Sequence, residues 1–366
     1  MSSNDADKEH CDPMVSVLLP VRDGLPYLPA SVDSILNQTY GNLELIVVDD
    51  GSLDKSREWI AARALQDHRI RLVANPVSGL VGALNYGIGL ARGAYVARMD
   101  ADDIAMPERF ARQVAFLEAN RHIAVLGTQV HHIDQNGDPF GKASAFPTNP
   151  TAISAALMEK GCVIRHPTIM ARREALVAIG GYRSALVYAE DFDLWLRMAE
   201  RYQLANLAEA TLFYRLHASS ISVSRHLEQQ LAHSLSLLSA QRRRMGLLDP
   251  IEAGSLLGGA IEADDVELLR LLQSHSALKT FTDGSRSAGV IKAVLDAIEF
   301  GRFYHSKRFL VSILSAITQS ALDAGNHAVA WRGLIISFRV DPFRTLRSLR
   351  GNSGLRIQTG GVLHET

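Results

Sequence analysis

The chain has 366 residues, of which 47% are hydrophobic and 21% are charged, and its formal net charge is -1. This length is enough for roughly two domains, and the composition is that of an ordinary globular protein. The near-neutral charge excludes a general attraction to nucleic acid or to an anionic surface, so any such preference must be local. The two cysteines, Cys11 and Cys162, are far apart in the sequence, which disfavours a disulfide framework or a four-ligand zinc site and fits a reducing cytosol. We expect both to be bystanders.

The N-terminal segment, residues 1–13, is polar and acidic and has no apolar signal core. We therefore expect a disordered lead-in and not a secretion signal. The least charged long stretch, residues 309–321, is too short and too rich in Ser, Thr and Gln to cross a bilayer. These patterns predict a cytoplasmic protein, soluble or peripheral at the inner membrane face.

The first hundred residues alternate strand patterns with helix patterns, which is typical of an α/β fold with a mostly parallel sheet. Near-continuous apolar runs of strand length indicate strands that are buried on both faces. Right-handed crossovers bring the ends of such strands to one edge, where open α/β sheets bind ligands. The predicted strands are 14–21, 43–48, 70–74 and one opening at 95, and the helices between them are 28–37, 54–66 and 80–91.

The remainder of the chain divides near residue 225. Before it, the pattern predicts a helix at 107–119, strands at 124–130 and 168–171, and helices at 174–179 and 189–199. After it, long helical patterns replace the strands, so we expect an α/β domain at 14–224 and a helical C-terminal domain at 225–366.

The end of the chain, Trp331 to Arg356, carries six arginines against the single acid Asp341. Two interpretations stay open. The segment is either a solvated basic helix or an interfacial anchor on anionic lipid, which would bring the protein into peripheral contact with the membrane.

Three carboxylates follow the fourth predicted strand within four positions: Asp100, Asp102 and Asp103. Like charges this close repel one another and raise each other's pKa unless a cation or hydrogen-bond donors neutralise them. A divalent metal site is therefore one interpretation. The other is an acidic loop that caps the helix beginning near Pro107.

Seven motifs in order, over roughly 200 residues, resemble the bacterial family 2 inverting glycosyltransferases. The resemblance implies a GT-A fold, which is a Rossmann-like sheet flanked by helices. It also implies a nucleotide-diphosphate sugar donor, with a UDP-sugar favoured, and Mn²⁺ or Mg²⁺ as cofactor. The motifs are Val15–Pro20, Ser34–Tyr40, Leu43–Ser52, Gly79–Asn85, Asp100–Asp103, Glu190-Asp191 with Trp195, and Tyr214–His217.

The resemblance also implies roles for the acids at the strand ends. Asp102 would bind the metal, and Asp100 would contact the ribose or a metal-bound water. From its position before Pro107, Asp103 is expected only to cap the next helix. Carboxylates at a strand end suit this chemistry because the departing diphosphate needs its developing charge neutralised. His217 would complete the metal sphere or contact the diphosphate, although a lone His is also often structural.

The donor base is expected beside the first two strands, at Pro20, Arg22 and Asp50. In the family the second acid of the Asp49-Asp50 pair reads the base, and helix capping is the structural alternative. The family usually has an aromatic residue where this chain has Arg22, whose guanidinium can also stack on a base.

Inversion at the anomeric carbon requires a base opposite the departing diphosphate. The resemblance assigns this role to Asp191, with Glu190 beside it, and capping of the following helix is the alternative. Arg215 would be either a clamp on the donor diphosphate or a surface ion-pair partner.

The predicted reaction moves a sugar to a hydroxyl of a saccharide or lipid-linked saccharide, in surface polysaccharide or glycoconjugate synthesis. One rival is a sugar-nucleotide pyrophosphorylase, but the loop from Arg22 to Pro26 is poor in the Gly and Lys that would hold a triphosphate. A non-enzymatic nucleotide-sugar-binding scaffold is the other rival, and the joint presence of Asp102 and Asp191 argues against it.

Overall fold

The structure is a computed structural model that describes residues 12–217, 226–249, 251–252 and the single residues 314, 318, 332, 333, 335 and 336. The chain divides into two compact units, Met1–Asp249 and Pro250–Thr366. The predicted helical domain from residue 253 onward and the basic segment lie outside the described residues, except for the six single positions named above.

The described strands of the first unit form one mixed sheet of nine strands, in the order β3-β2-β1-β4-β8-β6-β9-β5 with β7 paired to β6. The first four in this order are parallel. Strand β8 is antiparallel to both of its neighbours, so β6 and β9 run in the same direction as β1. The strands are β1 (Val15–Val21), β2 (Leu43–Asp49), β3 (Ile70–Ala74), β4 (Tyr95–Arg98), β5 (Ile104–Ala105), β6 (Ile123–Ile133), β7 (Pro139–Phe140), β8 (Met170–Arg172) and β9 (Gln203–Arg215).

Helices flank both faces of the sheet, which explains why β1 and β2 are continuously apolar. Val17 and Leu19 belong to the same buried cluster as Leu28 and Val32. Leu18 points the other way and contacts Gly87, where an added Cβ would lie 3.1 Å from its side chain. The helices are α1 (Leu28–Leu36), α2 (Ser56–Ala64), α3 (Leu80–Leu90), α4 (Arg109–Ala119), α5 (Pro150–Glu159), α6 (Arg173–Ala178), α7 (Glu190–Arg201) and α8 (His226–Arg244).

The alternating elements before residue 120 lie where the sequence predicts them, but two later elements were not predicted. Strand β9 has 13 residues and pairs with β6 along most of its length. Helix α5 begins after Asn149, whose side chain accepts a hydrogen bond from the Ala152 N–H. His166–Thr168 is a short 3₁₀ turn, and the strand predicted there begins at Met170.

The first unit extends to Asp249, beyond the expected boundary near residue 225. Helix α8 therefore lies in the same unit as the sheet. Arg243, at its end, pairs with Glu200 at 2.7 Å and with Asp249 at 2.6 Å, and Asp249 also pairs with Arg183. The change from strands to helices in the sequence marks a change of element type, whereas the compact unit continues through α8 and these ion pairs.

Among the described residues, no helix is both long enough and apolar enough to cross a bilayer.

Candidate active site

The parallel strands deliver the predicted site residues to one edge of the sheet. Val21 at the end of β1 is in register with Asp49 at the end of β2, and Leu18 is in register with Arg98 at the end of β4. Asp50 and Asp100 follow these strand ends directly. Their juxtaposition therefore results from the parallel register and not from any local signal.

Asp50 is held in a fixed orientation at this edge. Its Oδ1 accepts hydrogen bonds from Asn75 Nδ2 at 2.7 Å and from the Gly79 N–H at 2.8 Å. Its Oδ2 lies 4.0 Å from Arg22, whose side chain is 60% exposed, whereas that of Asp50 is 10% exposed. Pro20 is half-buried within β1. Asp50 and Arg22 are thus brought together as predicted, and Pro20 lies one residue before the end of β1.

The adjacent Asp49 has a different, structural role. It is buried, and its carboxylate accepts hydrogen bonds from the Ser52 N–H and from Arg57 at 3.0 Å. Capping of the following turn is thus the function of Asp49, while Asp50 faces the cleft.

Asp100, Asp102 and Asp103 form a compact carboxylate cluster in which one oxygen from each lies within 4.8 Å of the others. Arg98 donates to Asp100 Oδ2 at 2.6 Å. Burial, opposed by Arg98 and assisted by the Asp102 charge, raises the pKa of Asp100 to about 6. The cluster is therefore only partly neutralised by the protein's own residues.

Asp103 does not cap the next helix, contrary to the expectation. The N-cap of α4 is Glu108, and no side chain caps that helix. Asp103 is buried instead, and its Oδ1 accepts the backbone N–H of Arg215 at 2.8 Å. Its Oδ2 is buried without a hydrogen-bond partner, and burial together with Asp100 and Asp102 raises the pKa of Asp103 well above its ordinary value.

His217, which follows strand β9, contacts the carboxylate cluster although it is far from it in the sequence. Its Nε2 lies 2.8 Å from Asp102 Oδ2, and its ring stacks on Tyr27 with the centroids 5.6 Å apart. Strand β9 places it there by carrying the chain back beside β5. Asp102 and His217, predicted separately as metal ligands, are thus in direct contact.

Arg215 is buried, and its guanidinium is largely engaged with the backbone. Nε donates to the Asp102 carbonyl at 2.8 Å, and one terminal nitrogen donates to the Asp134 carbonyl at 2.9 Å. The guanidinium also lies over the Tyr27 ring, 4.5 Å from its centroid. These contacts describe a residue that positions the acidic loop, not a surface ion-pair partner.

Asp191 lies in the first turn of α7. Its Oδ1 accepts the N–H of Phe192 at 2.7 Å, and the thiol of Cys162 lies 3.7 Å from its Oδ2. The charge of Asp191 contributes to the raised pKa of Asp100, which places both carboxylates in one electrostatic environment. Burial, reinforced by Asp191, raises the pKa of the neighbouring Glu190 to about 7.

Three residues at the site were missed or misjudged in the sequence. Arg98 and Tyr27 lie outside the matching motifs, and their roles depend on Asp100, Arg215 and His217, which are brought to them by the fold. Cys162, expected to be a bystander, contacts Asp191 across 29 positions of sequence. No local pattern could have revealed these contacts.

The donor set at the carboxylate cluster fits a hard divalent cation. The three carboxylates supply the oxygen ligands that Mg²⁺ and Mn²⁺ prefer, and the imidazole of His217 lies beside them. The unpartnered buried Oδ2 of Asp103 shows that the protein alone does not satisfy this group. The residues present therefore fit the expected metal.

The sequence is similar to one protein family and to several known proteins. A family model described as Glycosyl transferase family 2 matches residues 16–180. The chain is 33% identical over 215 residues to the O-antigen biosynthesis glycosyltransferase WbnJ of Escherichia coli, covering 58% of this chain and 83% of that protein. It is 28% identical over 217 residues to the E. coli UDP-Glc:alpha-D-GlcNAc-diphosphoundecaprenol beta-1,3-glucosyltransferase WfaP, covering 59% and 82%.

Among solved structures, S. aureus TarS 1-349 in complex with UDP-GlcNAc superimposes with a TM-score of 0.54 at 17% identity. The match covers 91% of this chain and 92% of that chain. At this identity the comparison bears on the fold alone.

Proposed function

The chain belongs to glycosyltransferase family 2, and from this we propose that it transfers a sugar, with inversion, from a nucleotide-diphosphate donor to a hydroxyl acceptor. That it is a glycosyltransferase with the GT-A fold follows from its relatives and structural neighbours. The stereochemistry, the donor, the metal and the residues below are our proposal.

The observation that carries the proposal is the contact between Asp102 and His217, at 2.8 Å across 115 positions of sequence. This contact joins the end of β4 to the end of β9 and closes the acidic cluster. A loop with a purely capping role would not need an imidazole from so distant a segment. We assign Asp102 and His217 as metal ligands, with Asp100 as a further contact to the metal or ribose.

A bound Mg²⁺ or Mn²⁺ would neutralise the charge that develops on the departing diphosphate. The chain's own residues prepare for this by holding the carboxylates close together. Arg215 fixes the loop by its bonds to the Asp102 carbonyl and to Asp103, so we assign it a positioning role in place of the predicted diphosphate clamp.

The donor base is assigned to the cleft beside Asp50. Asn75 and Gly79 occupy Oδ1, which leaves Oδ2 directed toward a ligand N–H such as that of uracil. The exposed guanidinium of Arg22 can stack on the base above the end of β1, near Pro20. The name of the relative WfaP includes UDP-Glc, which supports a UDP-sugar as the donor.

Asp191 is assigned as the general base that takes the proton of the acceptor hydroxyl. The Cys162 thiol and the Phe192 N–H keep its carboxylate oriented, which supports this assignment. The name of WfaP includes a diphosphoundecaprenol-linked sugar, which supports a lipid-linked saccharide as the acceptor.

The test separates chemistry from binding in the variant Asp191→Asn. We expect sugar transfer, or donor hydrolysis when no acceptor is known, to fall roughly 100-fold or more, since a positioned base contributes at least that much. The affinity for UDP with Mn²⁺, measured by calorimetry, should stay within about twofold of the wild type.

Asp33→Asn is the matched control, because Asp33 is 49% exposed and pairs with Arg63 on the surface. Unchanged turnover in Asp191→Asn would disprove its role as the base. A loss of UDP affinity in this variant would instead assign Asp191 to the nucleotide site.

A further inference from the structure

Arg165 stands out among the arginines near the cleft because its guanidinium has no hydrogen bond or ion pair with any residue that the structure describes. Its Nε is buried and unpartnered. Most other buried or half-buried arginines of the first unit are paired, as Arg183 is with Asp193 and Arg71 with Glu44. Buried donors are costly when they are left unsatisfied, so the arrangement implies a partner from outside the chain.

The side chain of Arg165 is also held in place. Its guanidinium lies 5.5 Å from the ring centroid of Phe146 and 5.6 Å from that of Tyr214. Its carbonyl accepts hydrogen bonds from the N–H and Oγ1 of Thr168, at 2.9 and 2.7 Å. Two aromatic faces and an anchored backbone make this a preorganised cation and not a mobile surface arginine.

Arg165 lies between the two halves of the proposed site. On one side, Tyr214 directly precedes Arg215, which bonds to Asp103. On the other side, Cys162 contacts Asp191. Arg165 follows Cys162 by three positions, and its positive charge opposes the rise that burial and Asp191 cause in the pKa of the Cys162 thiol.

The planar guanidinium is suited to one class of ligand. Its donors match two oxygens of a phosphate or a carboxylate and form strong, charge-assisted hydrogen bonds with them. Asp191 does not fill this role, because its oxygens contact Cys162 and the Phe192 N–H instead.

We propose that Arg165 binds an anionic oxygen group of the acceptor, of the phosphate class, beside the hydroxyl that Asp191 deprotonates. This rests on the proposed function, which assigns the donor diphosphate to the side of Asp102. An acceptor whose sugar is joined to a phosphate or diphosphate would carry such a group close to the reacting hydroxyl.

The experiment titrates inorganic phosphate, as the probe, into the full chain already saturated with UDP and Mg²⁺, and measures the heat of binding. UDP occupies the donor side, so the remaining phosphate site is the one in question. We expect saturable binding by the wild type and roughly tenfold or weaker binding by Arg165→Met, since a charge-assisted pair is lost. Methionine keeps an unbranched apolar stem between the rings of Phe146 and Tyr214.

Arg165→Lys keeps the charge but not the fork of donors, so we expect intermediate affinity. Arg121→Gln is the control, because Arg121 is 79% exposed and pairs with Glu118 on the surface. If Arg165→Met should fail to fold, which its thermal unfolding would show, the lysine variant carries the test, and wild-type affinity in it would overturn the proposal.

Two further outcomes would also overturn the proposal. The first is that the wild-type chain binds no phosphate. The second is that Arg165→Met loses affinity for UDP, since this would assign the guanidinium to the donor site. Failure of the proposed function is a separate result. In that case the wild-type chain would neither bind UDP nor cleave any UDP-sugar, irrespective of the phosphate affinities of the Arg165 variants.

Discussion

The two oxygens of the Asp50 carboxylate have different surroundings, and this difference bears on how the nucleotide is recognised. Oδ1 has two donors of the protein, Asn75 and Gly79, whereas Oδ2 is 4.0 Å from the exposed Arg22. A carboxylate fixed by one oxygen can present the other as an acceptor of defined direction. In the proposed donor site, Oδ2 is therefore the oxygen that would accept the N–H of the base.

We predict that Asp50→Asn weakens UDP binding by roughly tenfold, because an amide oriented by Asn75 and Gly79 presents its NH₂ group where the ligand N–H needs an acceptor. Calorimetry with UDP and Mn²⁺ measures the effect, and Asp33→Asn on the surface serves as the control. Equal UDP affinities for the two variants would show that Asp50 does not read the base.

At the scale of residues, the sequence motifs predicted Asp50, Asp102 and Asp191 as candidate site residues, because each follows a strand or opens a helix in a recognisable local context. They could not reveal the role of Arg215. Its partners are backbone carbonyls at Asp102 and Asp134, and neither position has a sequence signature for that contact.

At the scale of elements, helix α7 begins with two adjacent acids that have different surroundings. Glu190 is 6% exposed, and Asp191 is more exposed and faces the cleft. Burial and the neighbouring charge raise the pKa of Glu190 to about 7, so the folded protein holds its proton more tightly than the unfolded chain does. The stabilisation from this proton is complete at acidic pH and is lost as the pH rises through about 7.

We therefore predict that the wild type loses roughly 1–3 kcal/mol of unfolding free energy between pH 5 and pH 8 relative to Glu190→Gln, which has no ionisable group there. Urea unfolding at several pH values measures the difference. Glu209→Gln is the control, since Glu209 is 58% exposed. Parallel pH profiles for the wild type and Glu190→Gln would contradict the prediction.

Strand β9 is the element that completes the site. It pairs with β6 in parallel, with shifts of register, and with β5 in the antiparallel direction. The β5 pairing links Ile104 to Phe213, so the residues after β9 reach the acidic loop before β5. An insertion that altered the length of β9 would separate His217 from Asp102.

At the scale of the whole molecule, a net charge of -1 conceals an uneven distribution along the chain. The arginines between Trp331 and Arg356 concentrate positive charge in the second unit, and a glycosyltransferase with a lipid-linked acceptor would benefit from such a segment at an anionic membrane. Attraction to anionic lipid contributes roughly 1 kcal/mol for each basic residue near the surface.

We predict that the full chain binds vesicles containing anionic lipid more tightly than purely zwitterionic ones, and that salt weakens this binding. Changing Arg344, Arg347 and Arg350 to Gln should reduce the binding roughly tenfold or more, as measured by cosedimentation. The control changes Arg63, Arg112 and Arg121, which lie on the surface of the first unit. Equal binding by both triple variants would favour the solvated basic helix.

The sequence by itself determined the parallel strands, the helices between them and the acids at the strand ends. These follow from the period of apolar residues and from motifs of a few positions, which are local properties. Only the tertiary structure shows that β9 joins the sheet beside β6, that α8 belongs to the first unit, that His217 contacts Asp102 directly, and that Arg215 bonds to the backbone of the acidic loop. These features depend on contacts between residues far apart in the chain, and such contacts exist only once the sheet has formed.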